Sequence, residues 1–301
     1  MKTTDKDRGK MSSVNMNSLS IFGATGFIGS NFCKFSKYKT VAVSRNQIES
    51  TTPNLVYFIG TTDNYNIFTN PTIDVKTNIE LLINVLECNR KKFGHFNINY
   101  ISTWFVYGNA SIPYHEDSKC EPKGFYSISK YAAEMFLISY CKTYNINYRI
   151  LRLGNVVGVG DLGVSKKKNA LQYLVDKIKS NEDIELYEGG EITRDYIHVE
   201  DVVRAIDVII DDCPVDKIIN VGSGKPIKLK ELIDIVLLNS NSTSKITSIA
   251  TPDFHKLVQV RDAYLDTTYL SSLGFKPIKS IYEEVVSLWP FKVKFLNYLK
   301  H

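Results

Sequence analysis

The sequence predicts an α/β protein with a doubly wound parallel sheet and a smaller C-terminal lobe. Short apolar, β-branched runs alternate with segments of helical periodicity, which is typical of strands joined by crossover helices. The first of these runs leads directly into a glycine-rich turn that opens a helix. After residue 155 the alternation becomes less regular, and this change marks the predicted start of the lobe.

The predicted elements follow from run length and period. Apolar runs of four or five residues indicate buried parallel strands, and a period near 3.6 indicates helices. The predicted strands are residues 19–22, 40–43, 55–59, 98–101 and 148–152. The predicted helices are residues 27–35, 74–91, 126–144, 169–179 and 228–238.

Composition and charge exclude several classes of protein. The chain has 301 residues, is 44% hydrophobic and carries a formal net charge of +5, which is no nucleic-acid signature. No apolar run approaches the roughly 20 residues of a membrane span. Five scattered cysteines without a CxxC pair argue against structural zinc and disulfides and suit a reducing compartment. We therefore expect a cytoplasmic protein that binds no nucleic acid, membrane or metal.

The glycine turn predicts a dinucleotide site. Glycine permits a tight turn and a close approach of a pyrophosphate to the backbone, and the following helix N-terminus favours its charge. The predicted cofactor-binding residues of this turn are Gly23, Thr25, Gly26, Phe27, Ile28 and Gly29. We accordingly interpret residues 1–17 as a disordered tail, 18–153 as an NAD(P)-binding Rossmann domain, and 154–301 as a substrate-binding lobe with segments that return to the first domain.

The choice of dinucleotide is expected at the end of the second strand. An acidic residue there would hold a ribose 2′-hydroxyl, but this chain has Ser44 and Arg45. Arginine can pair with a 2′-phosphate and serine can donate to it. The pair favours NADP, with NAD still possible if Arg45 is only a solvated loop residue.

Tyr126 and Lys130 are the candidate catalytic pair. Residues four apart lie one above the other on a helix face. An ammonium beside a phenol lowers the tyrosine pKa from its usual value of about 10, which prepares the phenol for proton exchange with a hydroxyl. The pattern alone is common, and it gains weight from the glycine turn and from Ser102-Thr103 earlier in the chain.

Together these residues resemble the extended short-chain dehydrogenase/reductase superfamily, and within it the nucleotide-sugar epimerase/dehydratase branch. The resemblance covers roughly residues 19 to 278. Five further stretches support it, in the expected order. They are residues 78–86, 152–158, 194–202, 220–224 and 273–277.

The resemblance implies roles for individual residues. Tyr126 would be the acid/base, Lys130 its partner and a ligand of the nicotinamide ribose, and Thr103 a hydroxyl at the reacting carbon. Asn78 would lie near the cofactor. The implied substrate-binding residues are Asn155, Arg194 for the diphosphate, and either Lys256 or Arg261 near the C-terminal end. Alternatively, Thr103 and Asn155 are structural caps, and Arg194 is a surface ion-pair partner.

Three departures from the family pattern narrow the function. The stretch between Arg45 and Leu55 is too short for a further strand and helix, so the adenine side is abbreviated. Residues 60–63 replace a His-Leu-Ala-Ala-like run. Trp104 and Phe105 follow Thr103, where dehydratases have an acidic pair and decarboxylases keep a glutamate. Since neither side chain has a proton to exchange, both activities are disfavoured.

The remaining functions share hydride transfer at carbon 4 of a nucleotide-activated sugar. The favoured reading is an NAD(P)-dependent epimerase, and the alternative is an NADPH-dependent reductase of a nucleotide 4-keto sugar. A rival of another class is a non-catalytic NADP-binding sensor or scaffold.

We also expect a homodimer built on the helices that begin near Asn78 and Tyr126. Residues 135–138 are all apolar, so the second helix has apolar side chains on more than one face. The alternative is that the lobe covers this face.

Overall fold

A six-stranded parallel sheet forms the centre of the computed structural model, which describes residues 18–158, 160 and 170–287. The predicted tail, 1–17, lies outside the described residues. The strands are β1 Ser18–Phe22, β2 Lys39–Val43, β3 Asn54–Tyr57, β4 Asn97–Thr103, β5 Asn147–Leu153, β6 Asn155–Val157, β7 Ile184–Tyr187, β8 Thr193–His198, β9 Lys217–Val221, β10 Pro226–Lys228 and β11 Ile246–Ile249. The central sheet has the order β2-β1-β3-β4-β5-β9.

Helices cover both faces of this sheet. They are α1 Phe27–Phe35, α2 Asn66–Thr69, α3 Leu81–Phe93, α4 Phe125–Tyr144, α5 Ala170–Lys179, α6 Val199–Asp212, α7 Leu229–Leu238, α8 Asp253–Val258, α9 Thr268–Ser272 and α10 Ile281–Ser287. Side chains of α1 and α6 share one apolar core with β1 and β5, and those of α3 and α4 share a second core with β3 and β4. The predicted doubly wound parallel sheet is confirmed.

All five predicted strands exist, with small differences at their ends. The third ends at Tyr57, two residues earlier than predicted, and the fourth continues to Thr103. β9 was not predicted as a strand, although it contains part of the 220–224 motif. The predicted helix from residue 74 begins as a π-helical segment, Val75–Glu80, before α3. Because β2 is the edge strand of this sheet, the prediction of an abbreviated adenine side is confirmed.

The second half of the chain adds two small sheets, with orders β10-β8-β6 and β11-β7. Their apolar side chains pack with α5, α7 and α10 in a core of their own. β6 continues almost directly from β5 and pairs in parallel with β8. One residue, Gly154, therefore separates β5 of the central sheet from β6 of the smaller sheet.

The carboxylate of Asp195 fastens this smaller sheet to the central one. Asp195 is buried in β8 and accepts hydrogen bonds from the backbone and hydroxyl of Ser223 at 2.7 Å each, from Gly224 N at 3.0 Å and from Leu265 N at 3.3 Å. A Cβ at Gly222 would lie 2.4 Å from its Oδ2 atom, so only glycine fits there. One side chain thus connects β8 to the turn after β9 and to the segment before α9.

None of the helices in the described ranges is both long and apolar enough to cross a membrane.

Helix α4 presents apolar side chains to solvent. Leu137 is fully buried, but Met135 and Phe136 are 39% and 49% exposed. Ile128, about two turns earlier in the helix, is 48% exposed. The described part of the lobe therefore does not cover this face, so the alternative of burial under it is not supported. A helix that is apolar on two faces is typical of an interface.

We predict that the protein is a homodimer through this face of α4. Light scattering at micromolar concentration is expected to give twice the chain mass. Phe136→Glu places a charge in the interface and is expected to give a monomer of unchanged fold. Leu238→Glu, at an exposed apolar position on α7, is the matched control and should leave the dimer intact. A monomeric wild-type protein would contradict the prediction.

Candidate active site

A cleft of about 550 Å³ runs from the glycine turn to the lobe. It opens at the carboxyl ends of β1, β3 and β4, where ligands bind in open parallel sheets. Its walls from the central sheet include Gly26, Phe58, Gly60, Thr103 and Tyr126. Its walls from the lobe include Asn155, Leu174, Lys177, Tyr187 and Arg194.

The glycine turn has the geometry that a dinucleotide pyrophosphate requires. Gly23 has φ +81°, and a Cβ at Gly29 would lie 2.2 Å from Gly23 O, so neither position tolerates a side chain. Helix α1 begins after Gly26, and no side chain caps its first turn. Its free N–H groups and the helix dipole face the cleft at a point lined by Gly26, Phe27, Ile28 and Gly29. The residues present therefore fit the cofactor.

The predicted selectivity residues lie beside this turn but outside the cleft lining. Ser44 and Arg45 are exposed in a tight turn after β2, closed by a 2.9 Å hydrogen bond from Gln47 N to Ser44 O. β2 pairs in parallel with β1, so its carboxyl end adjoins the glycine turn. Thr25 is exposed at the turn itself.

Thr103 and Tyr126 meet in the cleft wall. Thr103 is the last residue of β4, and its hydroxyl lies close enough to the Tyr126 phenol to lower the pKa of that phenol. The same hydroxyl accepts from Phe105 N at 3.3 Å, which caps the short helical turn Trp104–Tyr107. Tyr126 is half-buried in the first turn of α4. The Thr103 hydroxyl therefore caps the turn and also lies beside the Tyr126 phenol, so the two alternatives for this residue do not exclude each other.

Lys130 lies behind this wall. Its side chain is 4% exposed, and Nζ donates to Tyr100 Oη and to Ile101 O, both at 2.7 Å. Gly60 in the cleft wall lies next to this side chain, and a Cβ added there would be in ordinary contact with Nζ at 3.5 Å. The departure from the family pattern at residues 60–63 thus places the smallest residue in front of Lys130.

Burial opposes the charged form of both catalytic candidates. It raises the pKa of Tyr126 to about 12, against the hydrogen bond from Thr103, which lowers it. It lowers the pKa of Lys130 to about 7, with the Glu134 carboxylate acting in the opposite direction. The expectation of a depressed Tyr126 pKa is therefore wrong for the protein without ligands, because desolvation is the largest influence on that pKa and raises it.

Asn78 positions the wall from behind. It is fully buried in the π-helical segment, accepts from Thr61 N at 2.9 Å, and donates to Thr61 Oγ1 and Ser129 Oγ at 2.8 Å each. The amide joins the loop after β3 to α4, next to Lys130. Asn78 does not line the cleft. It supports the residues of the cleft wall and does not face the space where a cofactor was expected.

Asn155 and Arg194 line the cleft on the lobe side. Trp104 Nε1 donates to Asn155 Oδ1 at 2.6 Å, which leaves the amide hydrogens as the free part of that side chain. Arg194 is 6% exposed, and its Nη atoms donate to the carbonyl oxygens of Thr193, Val260 and Arg261. Arg194 is not a surface ion-pair partner, and burial lowers its pKa.

Lys256 and Arg261 do not line the cleft. Lys256 is exposed on α8 and pairs with Asp253 at 3.1 Å. Arg261 is exposed and pairs with Glu188 at 3.2 Å and Asp262 at 2.8 Å. Neighbouring carboxylates thus hold both cations at the surface, and the expectation that one of them faces the diphosphate is not supported.

The sequence did not indicate the residues that bridge the two sides of the cleft. Tyr65 Oη bonds to Nε2 of His255, across 190 positions of the chain. The His255 ring also packs against Tyr187, with centroids 5.0 Å apart. Lys177 on α5 lines the same lobe wall. No local pattern marks such contacts, because they depend on how the lobe folds back.

Comparison with known proteins agrees with this geometry. The family model for the NAD dependent epimerase/dehydratase family matches residues 44–222. The chain belongs to this family. A Methanocaldococcus jannaschii protein named provisionally as a UDP-glucose 4-epimerase is 31% identical over 218 residues, which are 69% of this chain and 66% of the relative. The dTDP-4-dehydro-6-deoxyglucose reductase of Escherichia coli is 30% identical over 141 residues, 47% of this chain and 44% of that protein.

The matched region thus spans just under two thirds of the archaeal relative and less than half of the reductase. Solved structures extend the fold match to 90% of the chain. The UDP-glucose 4-epimerase of Thermotoga maritima with UDP-glucose has a TM-score of 0.79 at 23% identity over 98% of its length. RMD of Pseudomonas aeruginosa with NADPH has a TM-score of 0.77 at 19% identity over 97%. Family members in these comparisons thus include both epimerases and reductases.

We predict that Lys130 makes stability depend on pH. Its pKa is about 7 in the folded protein and about 10.4 in an unfolded chain. Between these values the unfolded state binds the extra proton, so the free energy of unfolding rises with pH by up to about 1.4 kcal/mol per unit. The loss of folding stability caused by burying Lys130 is therefore complete below about pH 7 and absent above about pH 10.

Denaturant unfolding of wild type and Lys130→Met at pH 6, 7, 8 and 9 measures this effect. Wild type is expected to gain about 2 kcal/mol relative to the variant between pH 7 and pH 9. Lys256→Met removes an exposed lysine, so its free energy of unfolding should differ from that of wild type by an amount that does not change with pH. A constant difference for Lys130→Met as well would show that Lys130 keeps an ordinary pKa.

Proposed function

We propose that the protein is an NAD(P)-dependent nucleotide-sugar epimerase that acts by hydride transfer at sugar carbon 4. The observation that carries this proposal is the pairing of Thr103 and Tyr126 in a cleft that begins at the glycine turn. The next two residues, Trp104 and Phe105, offer no second acid or base. One proton-transfer group suits reversible oxidation of one carbon and does not suit elimination of water.

In this mechanism Tyr126 is the acid/base. In its phenolate form, which is the minor form in the protein without ligands, Tyr126 takes the proton of the C4 hydroxyl while the C4 hydrogen leaves as hydride. The Thr103 hydroxyl holds the same oxygen, so the atom that loses the proton stays within reach of Tyr126. A nicotinamide dinucleotide on the glycine turn supplies the hydride acceptor and, after oxidation, the hydride donor. Once the keto sugar has presented its other face, Tyr126 returns the proton to the oxygen.

The other residues bind and position. Lys130, held by Tyr100 and Ile101, is proposed to reach the nicotinamide ribose with its remaining hydrogen, and Asn78 keeps the wall in front of it in place. On the lobe side, the Asn155 amide and the remaining Arg194 donors are proposed to meet the sugar nucleotide. Lys177 is a further cation on that wall and is proposed to take the place expected for Lys256 or Arg261.

A reductase of nucleotide 4-keto sugars is the second candidate. The position of Arg45 favours it, since an exposed arginine beside the glycine turn suits a 2′-phosphate. An epimerase recycles its cofactor and gains nothing from an NADPH preference. The intact set of Thr103, Tyr126 and Lys130 argues against a sensor or scaffold without activity.

Cofactor stoichiometry distinguishes the two reactions. The protein is incubated with uridine and thymidine diphosphate hexoses and a trace of NAD or NADP, and the sugars are identified by NMR. Appearance of the C4 epimer with catalytic cofactor supports the epimerase. Consumption of one NADPH for each 4-keto sugar, with no epimer formed from the hydroxy sugars, supports the reductase. Absence of turnover in both assays would overturn the proposed function.

We predict that Tyr126→Phe lowers turnover by about 10²–10⁴-fold, the range expected when an acid/base is lost. Folding and cofactor affinity should be nearly unchanged, because the ring and its packing against Phe105 remain. Tyr144→Phe removes a phenol hydroxyl from the far end of the same helix and should leave turnover unaffected. Turnover of Tyr126→Phe within about threefold of wild type would exclude the acid/base role.

We predict that Arg45→Ala removes a preference for NADP(H). If Arg45 pairs with the 2′-phosphate, wild type should bind NADP(H) about tenfold or more tightly than NAD(H). The variant should bind both alike, with NAD(H) affinity little changed. Lys39→Ala, at the opposite end of β2, is the control for net charge. Titrations in which wild type shows no preference would assign Arg45 to the solvated loop and weaken the case for the reductase.

A further inference from the structure

Two stacked aromatic rings stand beside the candidate acid/base. The Trp104 and Phe105 rings stack with centroids 4.0 Å apart and an interplanar angle of 29°. The Phe105 ring in turn meets the Tyr126 ring edge-on, with centroids 5.7 Å apart and an angle of 73°. Both aromatic residues line the cleft. We call this pair the aromatic wall.

The aromatic wall cannot move aside easily. Trp104 is 4% exposed, its indole N–H donates to Asn155, and its ring stacks on Tyr114 with centroids 6.5 Å apart. The Arg194 guanidinium lies 5.2 Å from the centre of the Trp104 ring. These polar groups contact Trp104, and Phe105 is the ring that faces the phenol. Trp104 is therefore held in place, and the two rings present an apolar surface next to the reacting position.

The chemistry of the sugar decides which of its edges can lie on this wall. Carbon 4 has two ring neighbours. Carbon 3 carries a hydroxyl, which would lose its hydrogen bonds to water against a ring face without gaining others. Carbon 5 carries carbon 6, and that edge is apolar when carbon 6 is a methyl group. The wall therefore fits the C5–C6 edge of a 6-deoxy sugar.

We propose that Phe105, backed by Trp104, selects nucleotide sugars whose carbon 6 is a methyl group. The inference rests on the proposed function, since it takes Tyr126 as the group that reacts at carbon 4. A hydroxymethyl group finds no hydrogen-bond partner on the wall, and an apolar pocket discriminates against such a group by about 10–100-fold. A carboxylate at carbon 6 would be desolvated against the rings without a counter-ion, so uronates are discriminated against more strongly. The Arg194 Nη atoms cannot compensate fully, because three of their hydrogens already bond to carbonyl oxygens.

The test compares three sugars that differ only at carbon 6. The uridine diphosphate and thymidine diphosphate derivatives of 6-deoxyglucose, glucose and glucuronate are titrated into Tyr126→Phe protein with saturating cofactor. This background removes turnover and leaves the aromatic wall in place. The 6-deoxy sugar is expected to bind about tenfold more tightly than the glucose compound and about 100-fold more tightly than the glucuronate.

A second set of variants assigns the preference to the wall. Phe105→Ser opens the wall and adds a hydroxyl, so the ratio of 6-deoxyglucose to glucuronate affinity should fall at least about tenfold. Phe105→Leu keeps an apolar side chain of similar reach and should retain most of the ratio. In the active protein, kcat/KM for the same sugars should follow the same order.

The outcomes separate the two proposals. Equal affinity for the three sugars, or tightest binding of the glucuronate, overturns the inference while the proposed function stands. A preference for the methyl group that survives Phe105→Ser also overturns it, because the selection then lies elsewhere. If no sugar of either series binds, the proposed function fails and the inference fails with it.

Discussion

The buried carboxylate of Asp195 is the constraint on which the rest of the cleft depends. Four hydrogen bonds join it to Ser223, Gly224 and Leu265, and burial raises its pKa while these bonds lower it. Because Asp195 lies in β8, the bonds fix that strand against the end of the central sheet. β8 also carries Arg194 and pairs with β6, which carries Asn155. The lobe wall of the cleft therefore takes its position from one charged side chain.

The opposite wall is built around charges that the fold disfavours. Lys130 is buried and Tyr126 is half-buried, and desolvation shifts the pKa of each in the direction that favours its neutral form. Such sites persist when the surrounding structure determines them, and here Tyr100, Ile101 and the loop held by Asn78 do so. A site that disfavours its own charges before ligands bind is typical of catalytic centres. The same burial links the stability of the protein to pH through Lys130.

Apolar rings and polar side chains meet beside the candidate acid/base. Next to Tyr126 stands the aromatic wall of Trp104 and Phe105, and Asn155 and Arg194 contact Trp104 from the lobe side. A nucleotide-activated sugar likewise combines a reacting hexose with a charged diphosphate. Tyr126 packs against this aromatic wall, and we take the lack of an acidic pair at Trp104 and Phe105 to favour oxidation and reduction over elimination. We therefore relate the two aromatic side chains of the wall to the choice of sugar and not to the type of reaction.

Local features of the sequence determined the fold class, five of the six central strands, the glycine turn, and the placement of Tyr126 and Lys130 one turn apart on α4. Strand runs, the steric needs of Gly23 and Gly29 and a four-residue helical spacing all act within a few residues, so they can be recognised without the fold. The tertiary structure decided which cations reach the cleft. Arg261 and Lys256 pair with Glu188 and Asp253 outside the cleft lining. Lys177, whose Nζ donates to Asp183 O and pairs with Glu182, lines the lobe wall. The tertiary structure also decided the pKa shifts and the contact of Tyr65 with His255, because desolvation and pairing across 190 residues arise only when distant segments pack together.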